Sequence, residues 1–361
     1  METPRLRTPS LGRSLLHVPP VCFGAYALGG GYWGPQDEQE GVRALELAIE
    51  NGMHAIDTAP VYGFGLSERL VGRALKGRRE RAVVMTKVGL RWDGSIVPGD
   101  PRLAGVKPQL GPDGRKLPVR RDSRPESIRQ EVDASLERLG VERIELVQIH
   151  ARDPHTPLVE TLGALLELRR AGKIAEIGVS NFTAAEVAES IRALAPVPLA
   201  SHQLHYGLLA RGAERELLPQ ALREDVGTLV FGALEQGLLT GKVRAQRSFD
   251  EREGRARRPS FQARNRQRVN AVLDEVVAPV ARAHSCSIAA VVLAWTAASP
   301  GVTSVLAGAR SPEQVRENLR ASSLALAEDE RARIRAAFER LRLLPGPGAG
   351  LRTWLRYLLR R

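Results

Sequence analysis

The sequence predicts an α/β fold, a (β/α)8 barrel formed as a single domain. Three observations carry that expectation. Short apolar runs alternate with longer amphipathic stretches eight times over. The connections between runs are of crossover length, as parallel strands require. Many of the runs end in a polar residue, the pattern expected where strand C-termini converge on one functional face. An open doubly wound sheet is the competing architecture for the same alternation.

The runs read as strands are 21–25, 54–57, 82–87, 144–150, 175–180, 199–203, 228–231 and 302–307. Helical segments are expected over 38–51, 66–76, 125–139, 158–171, 184–194, 212–224, 269–298 and 312–320. They are read from apolar residues spaced by three and four, such as Val42, Leu45, Ala48 and Ile49. Pro279 and the 284–287 stretch interrupt the seventh, which can therefore be two helices. Ser123 before Pro125-Glu126 and Ser311 before Pro312-Glu313 are the expected N-caps. Gly140, Gly172 and Gly227 stand where helices should stop.

Three segments fall outside this alternation. Residues 91–123, rich in Gly, Pro and charge, read as a long loop after the third strand. Residues 240–268 carry Arg244, Arg247, Arg252, Arg255, Arg257 and Arg258 and read as a mobile basic loop after the seventh. The breaker run Pro345-Gly346-Pro347-Gly348 divides a barrel domain, 1–344, from a basic amphipathic tail, 345–361. In the tail, Leu351, Trp354, Leu355 and Leu358 oppose Arg352, Arg356 and Arg360. Packing over the barrel or a partner subunit is expected of it, in preference to a membrane surface.

Composition excludes several classes of function. The net charge is +12, but only six of the 53 basic residues are lysines, and the arginines are spread along the chain. Aromatic residues make up 4%. A nucleic-acid-reading surface would cluster basic and aromatic residues together, so no nucleic-acid partner is expected. No apolar run approaches the ~18 residues of a membrane span. Pro4, Pro9, Pro19 and Pro20 interrupt the opening segment, which does not read as a signal peptide. Cys22 and Cys286 form neither a disulfide framework nor a metal-binding pattern. The chain is thus expected to be cytoplasmic and metal-free; oligomeric state is not readable.

Placed on the strands, the polar residues form a constellation. Asp57, Lys87 and His150 end three successive strands and should share one barrel mouth, with Ser180-Asn181 and Gln203 on the next two. Tyr62 follows Asp57 in a loop punctuated by Gly63 and Gly65. A phenol ionises near pH ~10, and an adjacent ammonium such as Lys87 lowers that value while Asp57 anchors the ammonium. His150 can hydrogen-bond a substrate oxygen. Taken singly, each has a plainer role: Asp57–Lys87 as a structural ion pair, His150 as an interior histidine, Tyr62 as a turn aromatic. Their conjunction points to proton transfer at a carbonyl.

The stretch HAIDTAPVYGFGLSERLVGRAL (54–75) resembles the aldo-keto reductase signature. VVMTKVG (83–89), IELVQIH (144–150), GKIAEIGVSNF (172–182), GLLTGK (237–242) and LAGARSPEQVRENL (306–319) continue the resemblance in family order over roughly residues 11–340. YALGGGYWG (26–34) and TLVFGALEQGLLTGK (228–242) are most similar to the bacterial branch that holds the inositol-operon and general-stress reductases.

The resemblance implies an NADP(H)-dependent oxidoreductase acting on a carbonyl or alcohol, with Tyr62 as proton donor beside Asp57, Lys87 and His150. By position it implies Ser180, Asn181 and Gln203 at the nicotinamide carboxamide and Tyr206 stacked on the ring. Gly24, Ala25 and Tyr26 approach the cofactor from the first strand. Phe231, Gly232, Leu234, Gly237, Leu238 and Lys242 wrap the pyrophosphate. Gly308 is among the cofactor contacts, Arg310 and Gln314 meet the 2′-phosphate, and Asn318 the adenine. A planar guanidinium suits a phosphate, which favours NADP(H) over NAD(H), although Arg310 also reads as an ordinary surface arginine.

Departures from the family pattern bear on the pocket. Phe231 replaces a usual Tyr and Ala25 a usual Thr, and Ala151-Arg152 follows His150 where relatives often carry an aromatic and then proline. Tyr26, Trp33, Phe64 and Arg152 are the expected pocket walls, around a wider and more basic site suited to an anionic or polyol substrate. Two other readings fit the same residues: a cofactor-binding sensor or regulatory subunit with little turnover, and a sugar or polyol dehydrogenase working oxidatively.

Overall fold

The structure, a computed structural model, describes residues 8–34, 36–92, 108–249 and 253–345. Eight parallel strands close into a barrel in chain order: β1 (Val21–Gly24), β2 (Ala55–Asp57), β3 (Val83–Val88), β4 (Ile144–Ile149), β5 (Ile174–Ser180), β6 (Ser201–His205), β7 (Gly227–Phe231) and β8 (Ser304–Gly308). β8 closes on β1 with Gly308 opposite Gly24. The open doubly wound alternative is thereby excluded, and one domain carries the whole architecture.

Helices follow the strands: α1 (Glu38–Glu50), α2 (Leu66–Leu75), α3 (Pro125–Leu139), α4 (Leu158–Arg170), α5 (Ala184–Leu194) and α6 (Leu217–Glu224). They bury one apolar stripe against the strands; in α1 the buried positions include Ala44, Leu45, Ala48 and Ile49. The expected helix 212–224 is divided, a 3-10 turn at Gly212–Glu214 preceding α6. The seventh segment starts earlier than expected, as α7 (Ala263–Val272), a wide turn at Leu273–Val277 and α8 (Ala278–Ala283). The widened turn accommodates the missing N–H of Pro279, so the real break falls at the next interruption, before α9 (Ile288–Ala297). α10 (Pro312–Ser323) comes after β8. A further helix that the apolar spacing did not predict, α11 (Glu328–Arg340), packs through Ile334, Ala337 and Phe338.

Two local expectations need correction. The N-cap of α3 is Arg124, not Ser123; Pro125 takes the first helical position, and Ser123 instead donates its backbone N–H to Asp153 at 3.0 Å. The left-handed stop of α6 is Asp225, while Gly227 opens β7. Ser311 does cap α10, accepting from the Gln314 N–H, and Gly140 closes α3 in the left-handed conformation.

The 91–123 loop, where described, folds into two short antiparallel pairs, Leu90–Arg91 with Arg120–Arg121 and Gln109–Leu110 with Lys116–Leu117. The basic 240–268 segment also has local structure, with 3-10 turns at Gly254–Arg257 and Pro259–Phe261. Phe249 packs edge-on against Phe261 at 5.5 Å, and Arg266 ties the segment down through the backbone carbonyls of Arg244 and Arg247. The tail reading falls on 346–361, outside the described residues. Among the described residues no single helix is long and apolar enough to cross a membrane; one bent pair passes on length and composition, and its second arm, α9, is buried in the core.

The barrel interior is layered. Cys22, Ala55, Met85, Leu146, Leu229 and Leu306 face inward as one apolar layer, with Leu11 and Val18 of the N-terminal turn packed on it. Two residues further along the same strands, alternation brings Gly24, Asp57, Lys87, Gln148, Phe231 and Gly308 to the inner face above it. Leu11 fits because Gly227 has no side chain: a Cβ there would stand 2.5 Å from Leu11 Cδ1. Replacing Leu11 with Ala should cost about 2–5 kcal/mol of stability through the cavity left at the barrel base. Equilibrium denaturation measures this, and a loss near zero would show that the turn does not plug the barrel.

Candidate active site

The polar layer is assembled from strand ends by register. Gly24 pairs Asp57, Lys87 pairs Gln148, and Ser180 pairs Gln203. Lys87 Nζ donates to both Asp57 oxygens, at 2.8 and 2.7 Å, and to the Thr58 carbonyl at 3.0 Å. Gln203 Nε2 donates to Asp57 Oδ1 at 2.7 Å and Gln148 Nε2 to the same oxygen at 3.4 Å. Asp57 thus gathers side chains from β3, β4 and β6 while itself ending β2. Both charges are shut off from water, with side-chain exposures of 1% for Lys87 and 4% for Asp57.

Tyr62 and His150 lie above this pair, their rings edge-on at 5.8 Å. Lys87 Nζ stands 5.0 Å from the centre of the Tyr62 ring. Among the described residues neither the Tyr62 hydroxyl nor the His150 ring has a hydrogen-bond partner, and both line the cavity. Tyr62 is held in place by backbone contact: its loop presses so close to the loop after β1 that a Cβ on Gly29 would stand 2.6 Å from the Tyr62 carbonyl carbon. Tyr26, from that first loop, packs on Tyr62 at 4.8 Å between ring centres.

The electrostatics depart from the expectation that Lys87 lowers the pH at which the phenol ionises. Burial, reinforced by Asp57, pushes Tyr62 well above the ordinary value. The three bonds from the ammonium go to Asp57 and Thr58, leaving none for the phenol. Burial likewise holds His150 well below the usual histidine range, with Lys87 adding to the effect, and pulls Lys87 down against the opposing influence of Asp57. The phenol is therefore protonated and the imidazole neutral across the neutral range.

A cavity of about 980 Å³ runs from these groups between the β1, β7 and β8 loops, at the upper end of small-ligand sites. Of the residues expected to hold a cofactor, Gly24, Tyr26, Asp57, Ser180, Asn181, Gln203, Phe231, Gly232, Leu234, Gly237, Lys242, Gly308, Arg310, Gln314 and Asn318 line it. Three do not. Ala25 and Leu238 are fully buried in the core. Tyr206 faces away from the barrel, donating to Glu214 at 2.8 Å and stacking near Trp295 at 6.4 Å. Side-chain alternation along β6 explains this: Gln203 and His205 share the inner face, so the residue after them must turn outward. Phe231 does face the cavity, stacked on His205 at 5.4 Å.

The expected substrate walls divide the same way. Tyr26 and Trp33 line the cavity. Phe64 instead packs against Trp92 at 5.8 Å, behind the wall. Arg152 turns back to the carbonyls of Asp153 and Thr156, so the basic character expected from it comes from elsewhere. Polar and aromatic lining residues that sequence reasoning missed include Tyr32, Gln109, His205, Glu235, Gln236, Arg247, Arg255, Arg258 and Glu317. His205 and the buried Gln148 were available from alternation with Gln203 and His150. The loop residues carry no comparable signal.

Residues 20–339 match the aldo/keto reductase family, and the chain belongs to that family. It is 35% identical over 337 residues to an NADH-specific methylglyoxal reductase of Escherichia coli, covering 92% of this chain and 98% of that one. An aldo-keto reductase of Bacillus subtilis is 33% identical over 82% of each chain. The solved structure of a glycerol dehydrogenase from Gluconobacter oxydans superposes with a TM-score of 0.78 at 35% identity, covering 96% of this chain and 98% of that one. The protein is an oxidoreductase of this family.

Burial pushes the ionisation of Tyr26 and Tyr206, as well as Tyr62, to higher pH. In an alkaline absorbance titration the folded chain, with five tyrosines, should therefore show fewer phenolates near pH ~10 than the guanidinium-unfolded chain. Equal absorbance in the two states would contradict the buried, protonated assignment.

Proposed function

We propose that the protein reduces a carbonyl group, reversibly, with NADP(H), and that Tyr62 donates the proton. The observation that supports this reading is the pair of unpartnered groups, the Tyr62 hydroxyl and the His150 ring, facing one cavity above a buried Asp57–Lys87 pair. Neutral His150 donates a hydrogen bond to the carbonyl oxygen and orients it between the two groups. The phenolic proton of Tyr62 passes to that oxygen as its carbon is reduced. The ammonium of Lys87 is a positive charge 5.0 Å from the ring, beside a phenolate that burial and Asp57 disfavour, and a proton returns from solvent. Asp57 keeps the ammonium there.

The donor set fits a nicotinamide cofactor, which supplies hydride for reduction and takes it back in oxidation. Gln203 and Asn181 each commit their amide N–H groups within the chain, to Asp57 and to Ser180 and the His150 carbonyl. Their carbonyl oxygens are left for a carboxamide N–H. Phe231 would face the ring, and Gly24 and Gly308 permit close approach. Gly232, Leu234, Gly237 and Lys242 would hold the pyrophosphate, and Asn318 the adenine. Arg310 lines the cavity four residues before Gln314, whose side chain accepts the Arg310 backbone N–H at 2.8 Å.

One relative is named for NADH specificity, and the preference of this chain for NADP(H) is read from the charges at the far end of the cavity. Glu317 adds a carboxylate to that end of the cavity, but Lys242 neutralises it at 2.5 Å, which leaves Arg310 to meet a 2′-phosphate. The cytoplasm is the proposed setting, with 1–344 as the catalytic barrel and 345–361 as a separate tail.

Tyr62→Phe should lower kcat in the reductive direction by about 100- to 10,000-fold while NADPH still binds in a fluorescence titration. Retention of most activity would exclude Tyr62 as donor. Arg310→Ala should weaken NADPH by about tenfold and leave NADH within about twofold; equal effects on both dinucleotides would remove the basis for NADP(H) preference.

A further inference from the structure

The charges that line the cavity do not cancel, and the surplus is placed. Three lining carboxylates are each already engaged: Asp57 by Lys87, Glu235 by His205 at 2.9 Å, and Glu317 by Lys242. Of the lining arginines, Arg255 is paired with Glu253, and Arg310 is bonded to the Gln36 side chain at 2.6 Å and the Trp33 carbonyl at 3.0 Å. Among the described residues neither Arg247 nor Arg258 is paired with a carboxylate. Arg247 belongs to the stretch that follows the Gly237–Lys242 turn, and its guanidinium lies over Phe249 at 5.5 Å. The Arg258 guanidinium lies over Tyr32 at 5.9 Å.

Neutral groups hold Arg258 in place. With its amide oriented so that the N–H donates to the Tyr32 hydroxyl at 2.8 Å, Gln236 offers its oxygen to the Arg258 guanidinium at 2.9 and 3.2 Å. A neutral acceptor and a ring face position the cation without discharging it. Tyr32 packs near Tyr26 at 6.3 Å, and Tyr26 on Tyr62 at 4.8 Å. A row of three phenol rings therefore leads from the guanidinium to the reacting hydroxyl. The Arg258 charge also favours ionisation of the Tyr26 phenol, against the larger effect of burial.

We propose that Arg258 is a specificity residue for anionic carbonyl substrates: the carbonyl sits at Tyr62 and His150, and a carboxylate or phosphate at the substrate's other end binds the guanidinium. This rests on the reductase reading and deepens it. It also restores, on a different residue, the basic pocket that Arg152 does not provide. Arg258 is exposed at the rim, so its interaction is screened by salt, and it also draws anions toward the mouth.

The test compares matched substrates on the full chain with its dinucleotide, each long enough to span the row of rings: 12-oxododecanoate against dodecanal, and 10-oxodecyl phosphate against 10-hydroxydecanal. In each pair kcat/KM should favour the anionic member, and that advantage should shrink as ionic strength rises. Arg258→Met should reduce the anionic-to-neutral ratio by about tenfold, the scale of losing one hydrogen bond to a charged group, and Arg258→Glu should reduce it further. If only one anion type shows the effect, the proposal holds for that type. A ratio unmoved by both substitutions overturns the proposal, as does a matching rise in the dinucleotide Kd, which would assign the cation to cofactor phosphates. Absence of turnover with all four aldehydes would count against the reductase reading instead. The anion site is then read from calorimetric binding of succinate: loss of binding in Arg258→Met supports the proposal, and unchanged binding overturns it.

Discussion

The buried ion pair between Asp57 and Lys87 is the constraint on which the site is built. Two opposite charges with almost no exposure cost several kcal/mol each to desolvate, and mutual attraction offsets that only with close geometry and full hydrogen bonding. The structure meets both conditions. The ammonium bonds both carboxylate oxygens and the Thr58 carbonyl, and Asp57 accepts further from Gln203 and Gln148. Thr58 is in turn tied to Ser67 at 2.8 Å, and Ser67 to the Ala25 carbonyl at 3.0 Å. Strands β1, β2, β3, β4 and β6 are therefore linked through one carboxylate and its surroundings.

What stands above the pair inherits its consequences. Tyr62 and His150 occupy a crowded floor where burial opposes charge on each, so the resting site holds one neutral acid and one neutral donor. The strands provide the fixed part of the chemistry. The loops provide the variable part: Tyr26, Tyr32 and Trp33 from the segment after β1, and Arg255 and Arg258 from the segment after β7. That division, rigid scaffold below and adaptable rim above, is how one barrel supports many substrates.

The scaffold was legible in the sequence because strands repeat with a period of two and helices with a period near 3.6. Asp57, Lys87 and His150 could be placed at one mouth from strand position alone. The same alternation, applied more strictly, would have turned Tyr206 outward and brought Gln148 and His205 inward. Phe64 and Arg152 were misplaced for a different reason: each sits in irregular backbone just past a strand, where no periodicity states which way a side chain points. Arg258 was legible only as part of a basic loop, and its pairing with Tyr32 not at all, because that contact joins segments more than two hundred residues apart. The α3 cap was off by one residue, since a proline at the first helical position needs no side-chain cap before it.

A double-mutant cycle on Asp57→Asn and Lys87→Met tests the central claim most directly, with stability and kcat measured for all four proteins. Either single change strands an unpaired charge or its polar remnant in a dry interior and should destabilise the fold by about 3–5 kcal/mol. The double change removes both charges and should recover a large part of that loss, with kcat no lower than in the worse single variant. Additive losses in stability and in kcat would show that the two residues act independently, and the account of a site organised by one buried pair would be wrong.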